Sequence, residues 1–311
     1  MNPPSSATSI RPVIGLTFGI LAVSTASIFI RFAQVSAPSL VIAAYRLTLA
    51  SLLLLPITLI RHRAELRSLQ RQEIGLSLLS GLFLALHFAT WITSLQYTTV
   101  ASSVVLVTTT PLWVALLSPF TLKEPLTRPV RYGMGLALAG SIVVGLSDTC
   151  AWSAAGVACP SLESLLHGGA LLGDFLALVG AMMAAAYILI GRRLRTGISL
   201  VTYISIVYGM AAVALVFLTL AAREPLLGYP PVTYLWFLLL AVIPQLLGHS
   251  TFNWALRYVS AAYVSITLLG EPIGSTILAY FILKETPTAL KIFGAILILI
   301  GIYLASRSAE K

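Results

Sequence analysis

The chain has 311 residues, 58% of them hydrophobic and only 9% Asp, Glu, Lys or Arg, and its mean hydropathy is +0.96. A soluble globular domain is about 25% charged, so this sequence cannot cover a water-facing surface. A cytoplasmic enzyme, a nucleic-acid-binding domain and a disordered protein are excluded, and the net charge of +9 belongs to basic residues set between long apolar runs, as on the cytoplasmic side of a membrane protein.

A helix needs roughly 20 mostly apolar residues to cross a bilayer. Ten such stretches follow one another: about 12–34, 38–60, 74–96, 99–119, 130–148, 171–191, 199–221, 232–256, 260–282 and 289–306. The breaks between them are short and carry Pro, Gly or charge, as in Ser36-Ala37-Pro38 and Thr286-Pro287. The stretches are too long and too uniformly apolar for the alternation of a membrane barrel. The predicted fold is therefore an all-α integral membrane protein with ten transmembrane helices.

Ten spans place both termini on one side. With the termini in the cytoplasm, 14 of the 19 Lys and Arg fall on that side, including Arg61, Arg63, Arg67, Arg71, Arg128, Arg131, Arg192, Arg193 and Arg195. Arg31, Arg223, Lys284 and Lys291 fall outside, and Arg46 lies within a span. This bias predicts a multi-pass cell-membrane protein with both termini in the cytoplasm. The longest outer loop, about 149–170, has no Lys or Arg and holds both cysteines, Cys150 and Cys159. An oxidising compartment permits a disulfide between them, and two unpaired thiols are the alternative. In the first span, Ala22-Val23-Ser24 resembles a signal-peptide cleavage site, but the repeat described next needs this span retained.

Residues 97–140 align with 258–301 at a constant offset of 161, with 13 of 44 positions identical. Matching leucines mean little in so apolar a chain. Tyr97/Tyr258, Ala101/Ala262, Pro111/Pro272, Lys123/Lys284, Glu124/Glu285, Gly133/Gly294 and Gly140/Gly301 are not easily chance. The expected organisation is a first repeat over 1–148 (spans one to five), an extracytoplasmic loop at 149–170 and a second repeat over 171–311. Five is odd, so the second copy enters the membrane from the opposite side. Such inverted repeats are the architecture of secondary transporters, with the substrate near the midplane where the halves meet.

The strings Leu95-Gln96-Tyr97, Ala101, Pro111, Leu122-Lys123-Glu124, Gly133 and Gly140, then Leu256-Arg257-Tyr258, Ala262, Glu271-Pro272, Leu283-Lys284-Glu285, Gly294 and Gly301, resemble the two EamA repeats of the drug/metabolite transporter (DMT) superfamily. The resemblance spans nearly the whole chain. It implies ten spans, cytoplasmic termini and a solute carrier, often an exporter of amino acids or other metabolites. In span one, Ser24-Thr25-Ala26-Ser27 stands where the family has an aromatic-Gly-Ser string.

Polar side chains at membrane depth are costly and face the bundle interior. Gln245, His249 and Asn253 are spaced by four, which aligns them on an α-helix. They are candidate substrate-binding residues, with interhelical hydrogen bonding as the structural alternative. His87 and Trp91, with Ser94 and Thr90 nearby, mark a second candidate face, and His87 falls almost opposite His249 under the repeat. Arg46 needs an anion, either Glu271, Asp174 or a substrate carboxylate, unless it snorkels to the outer face. Asp174 itself reads as an interfacial helix-start residue.

Glu271 lies near the midplane before Pro272, and its repeat mate is Thr110 before Pro111. Proline removes a backbone donor and frees a carbonyl. Glu271, Pro111 and Pro272 are thus candidates for coupling or gating, with an ion pair to Arg46 as the alternative for Glu271. Lys123, Glu124, Lys284 and Glu285 close spans four and nine and are candidates for gating or structure. The Gly133/Gly140 and Gly294/Gly301 faces suit close packing inside the bundle or a dimer contact, so monomer and homodimer both fit.

No phosphate-binding loop, no His-Glu-x-x-His and no Gly-x-Ser-x-Gly string occurs, and four scattered histidines make no metal cluster. The chain is expected to be no enzyme and to need no cofactor. Its partners are a small solute and the bilayer, not nucleic acid. A secondary transporter is the leading reading, ahead of a channel and of an intramembrane enzyme. The topology predicts that a reporter fused after Lys311 is active only in the cytoplasm, and one inserted near Cys159 only outside. Reversed signals would sink the orientation.

Overall fold

The computed structural model describes residues 7–121, 128–149, 151–153, 156–158 and 169–306. The first crossing is two helices, α1 (Ala7–Ser24) and α2 (Ala26–Gln34), joined at Thr25. Pro38, with its fixed φ, starts α3 (Ser39–Arg61). A short α4 (Arg63–Ser68) leads to α5 (Arg71–Tyr97), opened by a reciprocal cap between Gln70 and Glu73. Then follow α6 (Val100–Val107), α7 (Thr110–Thr121) and α8 (Arg128–Thr149). Two short antiparallel strands, β1 (Ala151–Ser153) and β2 (Gly156–Ala158), form a hairpin.

The second half opens with α9 (Gly169–Arg195) and α10 (Leu200–Ala221). Next, α11 (Pro231–Leu240) widens into a π-helical segment, Ala241–His249, and returns to α12 (Ser250–Ala255). Then α13 (Ala261–Thr267) and α14 (Gly270–Leu278) run into a second π-helical segment, Ala279–Leu283, before α15 (Ala289–Ser306).

Among the described residues, eight segments are long and apolar enough to cross a membrane. Two further apolar helices, Arg131–Val144 and Ala289–Gly301, are shorter. The spanning segments are helical, as expected, and the hairpin lies in the long loop, where six residues are too few to leave a pattern. Cys150 and Cys159 flank the hairpin in sequence, and Lys123 and Glu124 sit between α7 and α8; all four lie outside the described residues.

Lipid tails are as apolar as leucine, so helices associate through close packing and hydrogen bonds. A close approach joins α8 and α15. A Cβ on Gly140 would lie 2.7 Å from the Gly294 carbonyl oxygen, and one on Gly301 would lie 2.5 Å from that of Gly133. The glycine faces found in the sequence therefore pack within the chain. Phe18, Phe217 and Phe281 project outward.

Polar ties close each end of the bundle. At one end Glu65 reaches the start of α10, where its Oε1 accepts from the Ser199 amide at 2.7 Å. Its Oε2 accepts from the hydroxyls of Ser199 and Thr202, with His62 Nδ1 at 3.2 Å. At the same end Arg192 donates to the Leu256 carbonyl at 2.6 Å. At the other end Tyr45 donates to the Leu226 carbonyl at 2.8 Å, and Arg31 pairs with Glu285 at 3.3 Å.

Burial alone pushes the Glu65 carboxyl up, but the hydrogen bonds from Ser199, Thr202 and His62 outweigh it and hold the group at about 2. Its folded pKa lies below the ordinary 4.5, so this tie stabilises the fold above that pH and its contribution fades as pH falls toward 2. Glu65→Gln is expected to cost about 1–3 kcal/mol at neutral pH and to flatten the pH dependence in that window. Hydrogen exchange of the amides of residues 199–202 reads both effects, and unchanged exchange would remove Glu65 as the anchor of α10.

Candidate functional site

The crossings that carry Pro111 and Pro272 are interrupted at matching places. Between α6 and α7, Pro111 cannot donate to the Val107 carbonyl, and the Thr110 hydroxyl does so instead at 2.9 Å. The Thr108 hydroxyl returns to the Val104 carbonyl at 2.8 Å and that of Thr109 to the Leu106 carbonyl at 2.7 Å. Between α13 and α14, Pro272 frees the Leu268 carbonyl, which accepts from the Glu271 amide at 2.9 Å. The two breaks face a common cavity.

That cavity draws His87, Trp91, Val107, Thr108 and Thr110 from the first half. Ala184, Tyr187, Ile188, His249, Phe252, Leu268 and Glu271 come from the second. His87 Nδ1 lies 2.9 Å from the Gly180 carbonyl. A carbonyl only accepts, so Nδ1 carries the proton and Nε2 is left for the cavity. The His87 ring stacks on Trp91 at 5.8 Å and stands 6.2 Å from His249, centroid to centroid. The Glu271 carboxylate makes no hydrogen bond or ion pair among the described residues, and Glu271 is 9% exposed.

Behind this wall lies a buried polar cluster. Arg46 is 0% exposed, so it does not snorkel. Its Nε donates to Gln245 Oε1 at 2.9 Å, and its guanidinium carbon sits 4.0 Å above the centre of the Phe88 ring. Both of its Nη atoms are buried without a hydrogen-bond partner, as is Gln245 Nε2. Asn253 donates to the Tyr187 hydroxyl and to the His249 carbonyl, while Tyr208 and Ser250 share a hydrogen bond at 3.2 Å. Arg46 and Glu271 interact electrostatically but do not approach within 4.0 Å. The ion pair weighed from sequence is not formed.

Of the residues singled out in the sequence, His87, Trp91, His249 and Glu271 come together on one cavity. Gln245 and Asn253 do not line it. They lie in the π-helical segment and just after it, where hydrogen bonds run i to i+5. In such a turn residues four apart leave the common line that α-helical spacing predicts, so Gln245 turns to Arg46. Pro111 and Pro272 are buried at the two breaks. Asp174, the sixth residue of α9, is buried, at 5% exposure.

Lys284 ends the second π-helical segment in the left-handed region, at φ 60°, and Glu285 belongs to the tie at that end of the bundle. Tyr187, Thr108 and Phe252 were not expected. The Thr108-Thr109-Thr110 run before Pro111 was a usable signal, because hydroxyls are what a broken helix needs. Tyr187 and Phe252 sit in apolar runs that carry none.

The sequence profile of the EamA-like transporter family matches twice, over residues 11–146 and 171–307. An uncharacterized transporter, YyaM, of Bacillus subtilis (strain 168) is 23% identical over 272 residues, covering 85% of this chain and 83% of its own. An uncharacterized transporter of Archaeoglobus fulgidus is 22% identical over 267 residues, covering 85% of this chain and 86% of its own. A crystal structure of a protein 19% identical in sequence superposes with a TM-score of 0.65 over 97% of this chain and 99% of that one, a likeness of fold. With both halves matched and the helices long and apolar enough to cross a bilayer, the chain belongs to the EamA-like transporter family and is a multi-pass membrane transporter.

Proposed function

We propose that this chain is a secondary transporter of ten spans, built as inverted repeats over 1–148 and 171–311. It moves a small organic solute, an amino acid or a similar compound, by alternating access across the cell membrane. The outward direction and the cytoplasmic termini follow the family resemblance and the basic-residue bias. The observation that carries the reading is the cavity at two matching helix breaks, lined from both halves by His87 with His249 and by Thr110 with Glu271. The end ties support the ten-span order. Glu65 with Ser199, Arg192 with Leu256, and Tyr45 with Leu226 each join segments that this order places on one side.

The cavity chemistry favours a cargo bearing both charges. Glu271 presents a carboxylate without a partner, suited to an ammonium group. Arg46, behind Phe88, sets a positive pole on the other side, suited to a carboxylate once the wall moves. Trp91, Tyr187 and Phe252 give apolar surface to the rest of a small molecule.

Counterflow of a labelled amino acid in proteoliposomes tests the reading, because a permanent pore does not produce it. Glu271→Gln is expected to lose the response to an imposed pH gradient and to bind an ammonium-bearing cargo more weakly. Equal pH-driven uptake by wild type and variant would remove Glu271 from coupling.

Arg46→Met separates a cargo contact from a structural one. Methionine removes a desolvated charge, so thermal stability is expected to change by less than about 2 kcal/mol. Affinity for a carboxylate-bearing cargo is expected to fall about 10- to 100-fold. Loss of the fold with no selective loss of affinity would make Arg46 structural.

A further inference from the structure

Arg31, at the end of α2, donates through Nη2 to the Thr98 carbonyl at 2.8 Å and to Glu285 Oε1 at 3.3 Å. The other Glu285 oxygen, Oε2, accepts from the Val100 amide, the first of α6, at 2.8 Å. Beside them Lys291, 5% exposed, donates to the Thr99 hydroxyl at 2.9 Å. One carboxylate and two cations thus fasten the end of the first crossing and the start of α6 to the turn between α14 and α15. The first two belong to one half and the last to the other.

Two voids lie along the same pair of helices. The one beside the clasp is bounded by Thr99, Ala101, Thr276, Glu285, Pro287 and Lys291, among others. The other is the central cavity, bounded on these helices by Val107, Thr108 and Glu271. Ala101 to Val107 is six residues and Glu271 to Thr276 is five, so at about 1.5 Å per residue the layer between the voids is only about 8–9 Å thick. Its α6 side, Ser102 to Leu106, is fully buried.

We propose that the Arg31–Glu285 clasp is the gate at this end of the transport path, and that its release parts α2 and α6 from α14 and joins the vestibule beside Glu285 to the central cavity. This rests on the transporter reading above. The degree of burial suits a gate. The Arg31 and Glu285 side chains are 26% and 23% exposed, so water can replace their bonds when the pair separates. A fully buried pair would lock the halves together, since each charge would be stranded on opening. The repeat offset carries Arg31 to Arg192, which donates to a carbonyl at the opposite end of the bundle. The mate of Glu285, Glu124, lies outside the described residues.

The test is cysteine accessibility. Thr110→Cys, in a Cys150→Ser and Cys159→Ser background, places one thiol in the cavity. A membrane-impermeant maleimide is applied to vesicles of either orientation, and a separate Thr286→Cys variant reports which face holds the clasp. Thr110→Cys is expected to react slowly from that face with the clasp intact, and about tenfold faster or more in Arg31→Gln, as a minor open state becomes common. Exchanging the charges, Arg31→Glu with Glu285→Arg, is expected to slow it again. If Arg31→Gln does not survive purification, Glu285→Gln carries the same test.

An unchanged rate in a folded clasp variant overturns the gate, as does an equal rise from both faces, which is general loosening. Counterflow by the wild-type protein is read separately, so failure of the transport reading shows as absent counterflow and failure of the gate as unchanged accessibility.

Discussion

A bilayer offers no water to a freed backbone carbonyl, so each interruption of a spanning helix must be answered from within the chain. The places where this protein breaks or widens its helices follow from that constraint. At the α1–α2 junction the Ser24 hydroxyl takes the Ile20 carbonyl at 2.8 Å, and the Thr25 hydroxyl takes that of Ala22 at 2.7 Å. At Pro111 the answering group is a threonine hydroxyl, and at Pro272 it is a backbone amide three residues along. Short hydroxyl side chains can repair a helix locally, which is why they cluster at these points. The cavity is what such repaired breaks leave when two of them face each other across the bundle.

Charge divides along the same lines. Two carboxylates at the bundle ends are saturated: Glu65 accepts at the start of α10 and Glu285 at the start of α6, where helix amides and the positive end of the helix dipole favour an anion. The deep charges are not. Glu271 lacks a partner, and Arg46 has one neutral hydrogen bond and a ring beneath it. A closed pair between them would be a static solution of doubtful stability. Held apart, Arg46 over the Phe88 ring and Glu271 on the cavity with His249, they keep their bonding capacity for something that enters. The contrast between these two satisfied carboxylates and the open charges at the centre separates scaffold from site more clearly than burial does.

The crossings were legible because roughly 20 apolar residues in a row have few other uses in a chain. The repeat was legible because Tyr, Pro, Lys-Glu and Gly are rare enough in this composition to stand out. His87, Trp91, His249 and Glu271 were legible for the same reason. The Gln245–Asn253 stripe was misread because spacing by four assumes an α-helix, and nothing in the Ala241–His249 string announces a π-helical turn except Pro244. The clasp at Arg31 and Glu285 was hidden because its partners are 254 residues apart and each looked like an ordinary charged helix end. The glycine faces left two readings open, inside the bundle or between copies, and only the approach of Gly140 to Gly294 decides for the first.

Symmetry explains the shape of such a carrier but not its direction. Exchanging the conformations of two related halves interconverts two geometries that are alike. It does not interconvert their charges. Thr110 and Glu271 occupy matching places, yet one is neutral with its hydroxyl spent on Val107, and the other is an acid with nothing to hold. The ends differ too, since Glu65 secures a helix start in the loop after span two while Glu285 does so after span nine, positions the repeat does not equate. Under the alternating access proposed above, the two end states therefore differ in electrostatic energy even where their backbones are related by a two-fold axis. On that proposal the chain has an intrinsic preference between its two open states, and the preference changes whenever Glu271 gains a proton or a cationic group.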